Sequence, residues 1–360
     1  MTSYTTKAAY PYPAPTDAIA DYPSVASTFA GYLDNLPNRN RIINGSFDIW
    51  QRGTSFSNPA TNTYTADRWV FTHNGTGGTR TIAPLTVNPG TTIGGMQARR
   101  ALQMNITNAG SPAATSQTIG QRIEDVRTFA GESVTVSGWI NNGGGGAGYN
   151  SVTLKAVQNF GTGGSPSAAV TTTIATKTVS AVWARFTATF TMPTLSGKTI
   201  GSDENSYVEI QFDVGGGTGT LYIWGIQVEQ NTTATALERE PIQQTLAKCQ
   251  RYFASYGGGA VYEPGALGQA RSTVAADMMT FLPVEMRAVP SVSVSAAGDW
   301  QLSNGVSAFT CTSFSDYGIQ QGRKVVVFGA FVGSGLTNGA MYRLEAQNRL
   351  TNRLNFAAEL

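Results

Sequence analysis

The chain has 360 residues, enough for two or three domains that each bury a core. Only 13% of them are charged, about half the roughly 25% of an ordinary soluble domain, so Ser, Thr, Asn, Gln and Gly must keep the surface wet. The formal net charge of +2 builds no broad basic field of the kind nucleic-acid binding needs. No apolar run is long enough to span a bilayer.

Residues 1–39 read as an N-terminal arm. Its first part is rich in proline and tyrosine and extended. MTSYTTKAAYPYPAPTDA has no apolar core after its lysine, so a secretory signal is not expected. A short helix follows: Val25, Phe29, Tyr32 and Leu36 recur at helical spacing behind a Ser24 N-cap. A helix this short is marginal alone. Its stripe needs a partner: copies of itself, an anchoring structure, or the next domain.

Residues 40–236 switch to period two. Val182, Ala184, Phe186, Ala188, Phe190 and Met192 share one face of a strand, and Val208, Ile210, Phe212 and Val214 alternate with Tyr207, Glu209, Gln211 and Asp213. Glycine-rich turns at Gly143–Gly148, Gly161–Gly164 and Gly215–Gly219 separate such runs. Short strands between turns predict a β-sandwich of jelly-roll type.

Pro241 opens a linking helix within 237–256, with Ile242, Leu246, Cys249 and Phe253 on one stripe. Residues 257–360 form a second β-rich domain, read as another sandwich, with Val325–Phe328 apolar on both faces. The whole is therefore all-β. Cys249 and Cys311 fall on apolar patterns and are expected as buried thiols.

Catalytic chemistry finds little purchase. His73 is the one histidine, in a polar turn that reads as a solvent-exposed loop, so triads and multi-histidine zinc sites are excluded unless it serves. Gly143, Gly145 and Gly148 fit G-x-G-x-x-G but lie between strand patterns, where a dinucleotide fingerprint needs a helix to follow. The adjacent acids Glu124–Asp125 and Asp203–Glu204 are not two carboxyls facing across a cleft. Aromatics are the remaining binding signal, because sugars stack on them. Tyr262, Trp300 and Tyr317, near polar glycine-containing turns, are the glycan-binding candidates, each with a plainer reading as packing.

Two blocks carry a resemblance. The first runs through Asn40, Ile43, Asn44, Gly45, Phe47, Asp48, Trp50, Gln51, Arg52 and Gly53 to Tyr64–Trp69 (YTADRW). The second runs through Trp224, Gly225, Gln227 and Glu229, then Leu237, Glu238, Glu240–Ile242, Leu246 and Cys249–Phe253. In this order they resemble a module of bacteriophage and prophage tail-fibre or minor tail proteins, over about residues 38–254. The ending Phe356–Leu360 (FAAEL) resembles the tips of such fibres.

The resemblance implies a jelly roll similar to carbohydrate-binding modules of the galactose-binding type. Some of these hold a structural calcium, for which Asp48 matches one ligand, while Trp224-Gly225 stands where further acids are expected. It further implies a non-enzymatic virion protein, made in the host cytoplasm. Its N-terminus would dock on other tail proteins, and its C-terminal domain would meet host-surface polysaccharide. A homo-oligomer, a trimer by preference, would gain avidity from many weak contacts. A polysaccharide depolymerase and a purely structural tail spacer stay open as alternatives.

Overall fold

The structure, a computed structural model, describes residues 3–4, 11–12, 38–144, 148–316, 322–347 and 352–360. The predicted helix of Val25, Phe29, Tyr32 and Leu36 lies outside the described residues. The chain folds as two compact units. The first takes Met1–Ser46, His73–Thr81 and Leu85–Glu240, and the second takes Phe47–Thr72, Ile82–Pro84 and Pro241–Leu360. Sequence alone ends the sandwich domain at residue 236; in the structure Phe47–Thr72 groups with the C-terminal part.

The first unit includes the strands β1 (Arg100–Asn108), β2 (Gln117–Glu124), β3 (Ser133–Asn141), β4 (Ser151–Asn159), β5 (Val170–Thr178), β6 (Ala184–Thr191), β7 (Tyr207–Asp213) and β8 (Gly219–Glu229). They lie in two antiparallel sheets, ordered β5-β4-β7-β2 and β6-β3-β8-β1. The inward faces meet through Val134, Val136, Leu154, Val208, Ile210 and Ile223, each within 1% of full burial. Phe186 of β6 sets its ring edge-on to Phe212 of β7 at 5.9 Å. The predicted alternation holds from Phe186 onward but fails at Val182, which is 74% exposed ahead of the strand.

Asn38–Ser46 lies along β8. Asn40 Oδ1 accepts from the Ile42 and Val228 amides at 2.9 and 3.0 Å, and its Nδ2 donates to the Ile226 carbonyl at 3.1 Å. Gln121 brackets Ile43 with two 2.7 Å bonds, one accepted from its amide and one donated to its carbonyl. The Glu238 carboxylate collects the amides of Asn38, Arg39 and Asn40 at 2.5, 2.9 and 2.9 Å. The Asn-Gly pair follows from this packing. Asn44 takes φ 58°, and a Cβ on Gly45 would stand 2.2 Å from the Ile226 carbonyl oxygen.

The second unit holds helix α1 (Ile242–Gln250) and strands β9 (Phe253–Tyr256), β10 (Pro264–Ala270), β11 (Ala275–Phe281), β12 (Ser291–Val294), β13 (Trp300–Ser303), β14 (Ala308–Asp316), β15 (Val325–Val332), β16 (Met341–Ala346) and β17 (Leu354–Ala357). Six of them close into a barrel, β10-β11-β15-β14-β13-β16, and β9-β17-β12 form a separate sheet. The barrel is a sheet rolled on itself, so it exposes no strand edge. Inside lie Met278, Trp300, Leu302, Val326, Phe328 and Leu344, each fully buried. The helix is shorter than its stripe suggests: Ile242 is 38% exposed, Cys249 alone is buried, and Phe253 already belongs to a strand. Among the described residues no helix is long and apolar enough to cross a membrane.

Candidate ligand-binding face

Several polar residues of the two blocks, Gln51, Arg52, Asp67 and Arg68, gather in the second unit. Gln51 ties three motif segments together: its amide donates to Asp67 Oδ2 at 2.6 Å, and its Nε2 donates to Asp67 Oδ1 at 2.7 Å and to the Phe253 carbonyl at 2.8 Å. Arg52 lies over Phe253, its Cζ 3.6 Å from the ring centre, and Arg68 lies over Tyr252 at 3.4 Å. Both guanidiniums pair with Glu359, Arg52 at 2.8 Å and Arg68 in closer contact. Tyr64 donates its hydroxyl to the Leu360 carbonyl at 2.9 Å.

Burial pushes the Asp67 carboxyl above its usual range, against the pull of Arg52 and Gln51. Burial alone would lower Arg68; Glu359, followed by Tyr252, more than offsets it and raises the group. The arginines pair with the acids and stack on the rings, so the cluster is a brace that holds Phe356–Leu360 against Phe47–Trp69 and Tyr252–Phe253.

A different arrangement marks the first unit. Val208, Ile210 and Phe212 of β7 point into the sandwich, so Tyr207, Glu209, Gln211 and Asp213 line the sheet's other face. Cross-strand partners are Arg122 and Gly120 on β2, and Val157 and Lys155 on β4. Asp213 is saturated: it accepts from Lys155 Nζ at 2.5 Å, Ser116 Oγ at 2.9 Å, and the amides of Gln117 and Gly215 at 3.2 and 2.8 Å. Glu209 is not. Its Oε2 meets Arg122 Nε at 3.4 Å, whereas Oε1 is buried with no hydrogen-bond partner.

Glu209 is 3% exposed, and a Cβ on Gly120 would sit 2.6 Å from that Oε1, so glycine makes room for the carboxylate. Arg122 also lies 4.9 Å from the Tyr207 ring centre. Burial raises the Tyr207 phenol, Arg122 opposes it, and Glu209 reinforces it. A buried carboxylate oxygen lacking a donor costs about 1–3 kcal/mol or more, and a bound hydroxyl or ammonium would recover it.

The residues named from sequence scatter. Tyr262 stands 50% exposed, with φ 58°, before β10. Trp300 is fully buried in the barrel core, so its expected role in stacking on a sugar is corrected: its ring offers no face to a ligand. Tyr317 lies outside the described residues. Asp48 is half-buried, and no group of three or more His, Cys, Asp or Glu side chains that could hold a metal ion occurs among the described residues. His73, expected in an exposed loop, ends the strand Trp69–His73 half-buried, with Nδ1 3.0 Å from the Gly75 carbonyl oxygen.

Asp125 pairs with Arg127 at 3.2 Å on the surface, and Asp203 accepts from Thr162 Oγ1 at 2.8 Å, so both acid pairs shape turns. Cys249 and Cys311 are free and buried as expected. Burial, reinforced by Asp67, raises the Cys249 thiol well above its usual range, and burial pushes Cys311 up to about 12. The polar face itself was hidden in plain sequence: Tyr207, Glu209, Gln211 and Asp213 read as the solvent side of a strand.

No protein-family model and no curated protein matches the chain. Solved structures do. The enzymatically active domain of tailspike protein 4 of bacteriophage CBA120 is 15% identical, with a TM-score of 0.33, over 54% of this chain and 22% of that one. The xylan-binding CBM22-1 domain of a Paenibacillus barcinonensis protein is 13% identical, with a TM-score of 0.29, over 50% of this chain and 94% of that one. The family 11 carbohydrate-binding module of a Clostridium thermocellum cellulosomal cellulase is 11% identical, with a TM-score of 0.28, over 52% of this chain and 98% of that one.

Proposed function

We propose that the chain is a phage tail-fibre or receptor-binding protein that contacts host-surface glycan without cutting it, attaches to the tail by its N-terminal segment, and works as an oligomer in the virion. The observation that supports glycan contact is Glu209 Oε1, a buried acceptor lacking a donor on a sheet face that also carries Arg122, Tyr207, Gln211 and Lys155. Sugars bring hydroxyl donors around a ring with apolar faces. One such hydroxyl donates to Glu209, and the ring lies over the half-buried Val157 across the strand pair. The acids of this face suit binding better than hydrolysis. Glu209 and Asp213, four residues apart on one strand, stand about 13 Å from each other, beyond the roughly 5–9.5 Å of a glycosidase pair. The attachment and virion parts of the reading rest on the two tail-fibre-like blocks.

The test is binding of the full chain to host polysaccharide fragments by calorimetry, alongside an assay for new reducing ends. Binding that falls at least tenfold in Glu209→Ala, persists in Tyr262→Ala, and yields no new ends supports the proposal. Undiminished binding in Glu209→Ala removes the site. Accumulating reducing ends would make the protein a depolymerase.

A further inference from the structure

The barrel's outer surface departs from what water favours. Along β10, β11 and β16 the outward positions include Leu267 at 57% exposed, Met279 at 43%, Phe281 at 64% and Met341 at 61%. They form one patch. Leu267 pairs directly with Met279, Met279 with Val327, and Phe281 with Val325, the two valines being half-buried. Met341 shares with Leu267 the lining of a hollow of about 180 Å³ at the patch's corner.

We infer that this face of the barrel packs against other copies of the same chain. The inference deepens the oligomeric part of the reading above and rests on it. Three observations choose this occupant. With each such side chain worth roughly 150–200 Å² when open, the four exposed residues offer on the order of 400 Å² of apolar surface. One side of a standard interface is about 800 Å², a little over half of it apolar, so the patch matches what a specific association needs.

The rim carries both signs. Arg271 pairs with Asp277 at 3.3 Å, both side chains being about half exposed, and the half-exposed Arg343 holds the buried Glu345 at 3.2 Å. A rim of mixed charge is complementary to a second copy of itself, whereas an anionic lipid surface calls for cations alone. The closed barrel also leaves no strand edge for a partner strand to extend, so a partner meets side chains.

The experiment measures the solution mass of the full chain by light scattering after gel filtration. Wild type is compared with Met279→Asp/Phe281→Asp and with Val182→Asp, which removes an apolar side chain that is 74% exposed in the first unit. Wild type and Val182→Asp are expected at a multiple of the 38.0 kDa chain mass. The double variant is expected at one chain mass, with an unchanged circular dichroism spectrum and at least tenfold weaker association. A single-chain wild type, or a double variant that keeps the multiple, overturns the inference.

Should the double variant misfold, Met279→Cys decides. Both native thiols are buried, so a bifunctional thiol reagent yields a two-chain band only if the patches meet, and its absence overturns the inference. Binding of polysaccharide fragments per chain, measured on the single-chain variant, is expected unchanged. Failure of the glycan reading therefore shows separately from failure of this one.

Discussion

Glu359→Gln is the most informative perturbation of the brace. Glu359 faces two guanidiniums whose side chains are 13% and 1% exposed, Arg52 and Arg68, and is itself 11% exposed. Removing its charge leaves Arg68 buried without its countercharge, the situation that costs about 3–5 kcal/mol when a buried pair is broken. The Tyr252 ring, 3.4 Å from the Arg68 guanidinium, stays in place and softens the loss. The expected cost is therefore about 3 kcal/mol, near the lower end of that range. At roughly 2–4 °C per kcal/mol this lowers the unfolding midpoint by about 9 °C.

The assay is urea and thermal unfolding of the full chain followed by tryptophan fluorescence. Arg68→Met, Glu359→Leu and their double variant complete a cycle. Replacing the whole pair by apolar groups is expected within about 1 kcal/mol of wild type, giving a coupling of about 2–3 kcal/mol. A Glu359→Gln loss below about 1 kcal/mol, or a double variant as unstable as the sum of its singles, would refute the reasoning.

Three further outcomes follow from packing and burial. Gly45→Ala drives a methyl to 2.2 Å from the Ile226 carbonyl oxygen, where backbone cannot yield, and should cost about 3 kcal/mol by thermal unfolding, while Gly298→Ala, with open space around it, should cost far less. Both cysteines should resist a thiol reagent at pH 8 in the native chain and react fully in denaturant. Because Cys311 keeps its proton to about pH 12 in the fold and only to about 9.0 when unfolded, its contribution to stability is full below 9.0 and declines toward 12. A pH titration of the unfolding midpoint, compared with Cys311→Ala, checks the sign.

Period-two alternation was enough to place β6, β7 and the buried side of the sandwich, because a half-exposed strand must separate its faces. It was not enough for the second unit. Val325–Phe328 is readable as a strand apolar on both faces, but closure into a barrel depends on which distant strands pair, such as β10 with β16, and no local pattern encodes that. Trp300 misled for a related reason. A tryptophan beside a glycine-containing turn looks the same whether it points into or out of a barrel. The candidate face was overlooked because Glu209 reads as an ordinary outward acid; its burial comes from Arg122 and Gly120 on a strand almost 90 residues earlier.

The brace also sets a timetable. Arg68 and Glu359 are separated by 291 positions, so on a ribosome moving at about 5–20 residues per second the arginine waits roughly 15–60 s for its carboxylate. Throughout that interval Phe47–Thr72 has been synthesised but cannot complete the unit to which it belongs. Glu359, so far downstream, is the residue that neutralises it, so a chain cut short in translation before that position would carry an unquenched cationic, aromatic surface. Such a fragment is exposed to chaperones and proteases rather than released as finished protein.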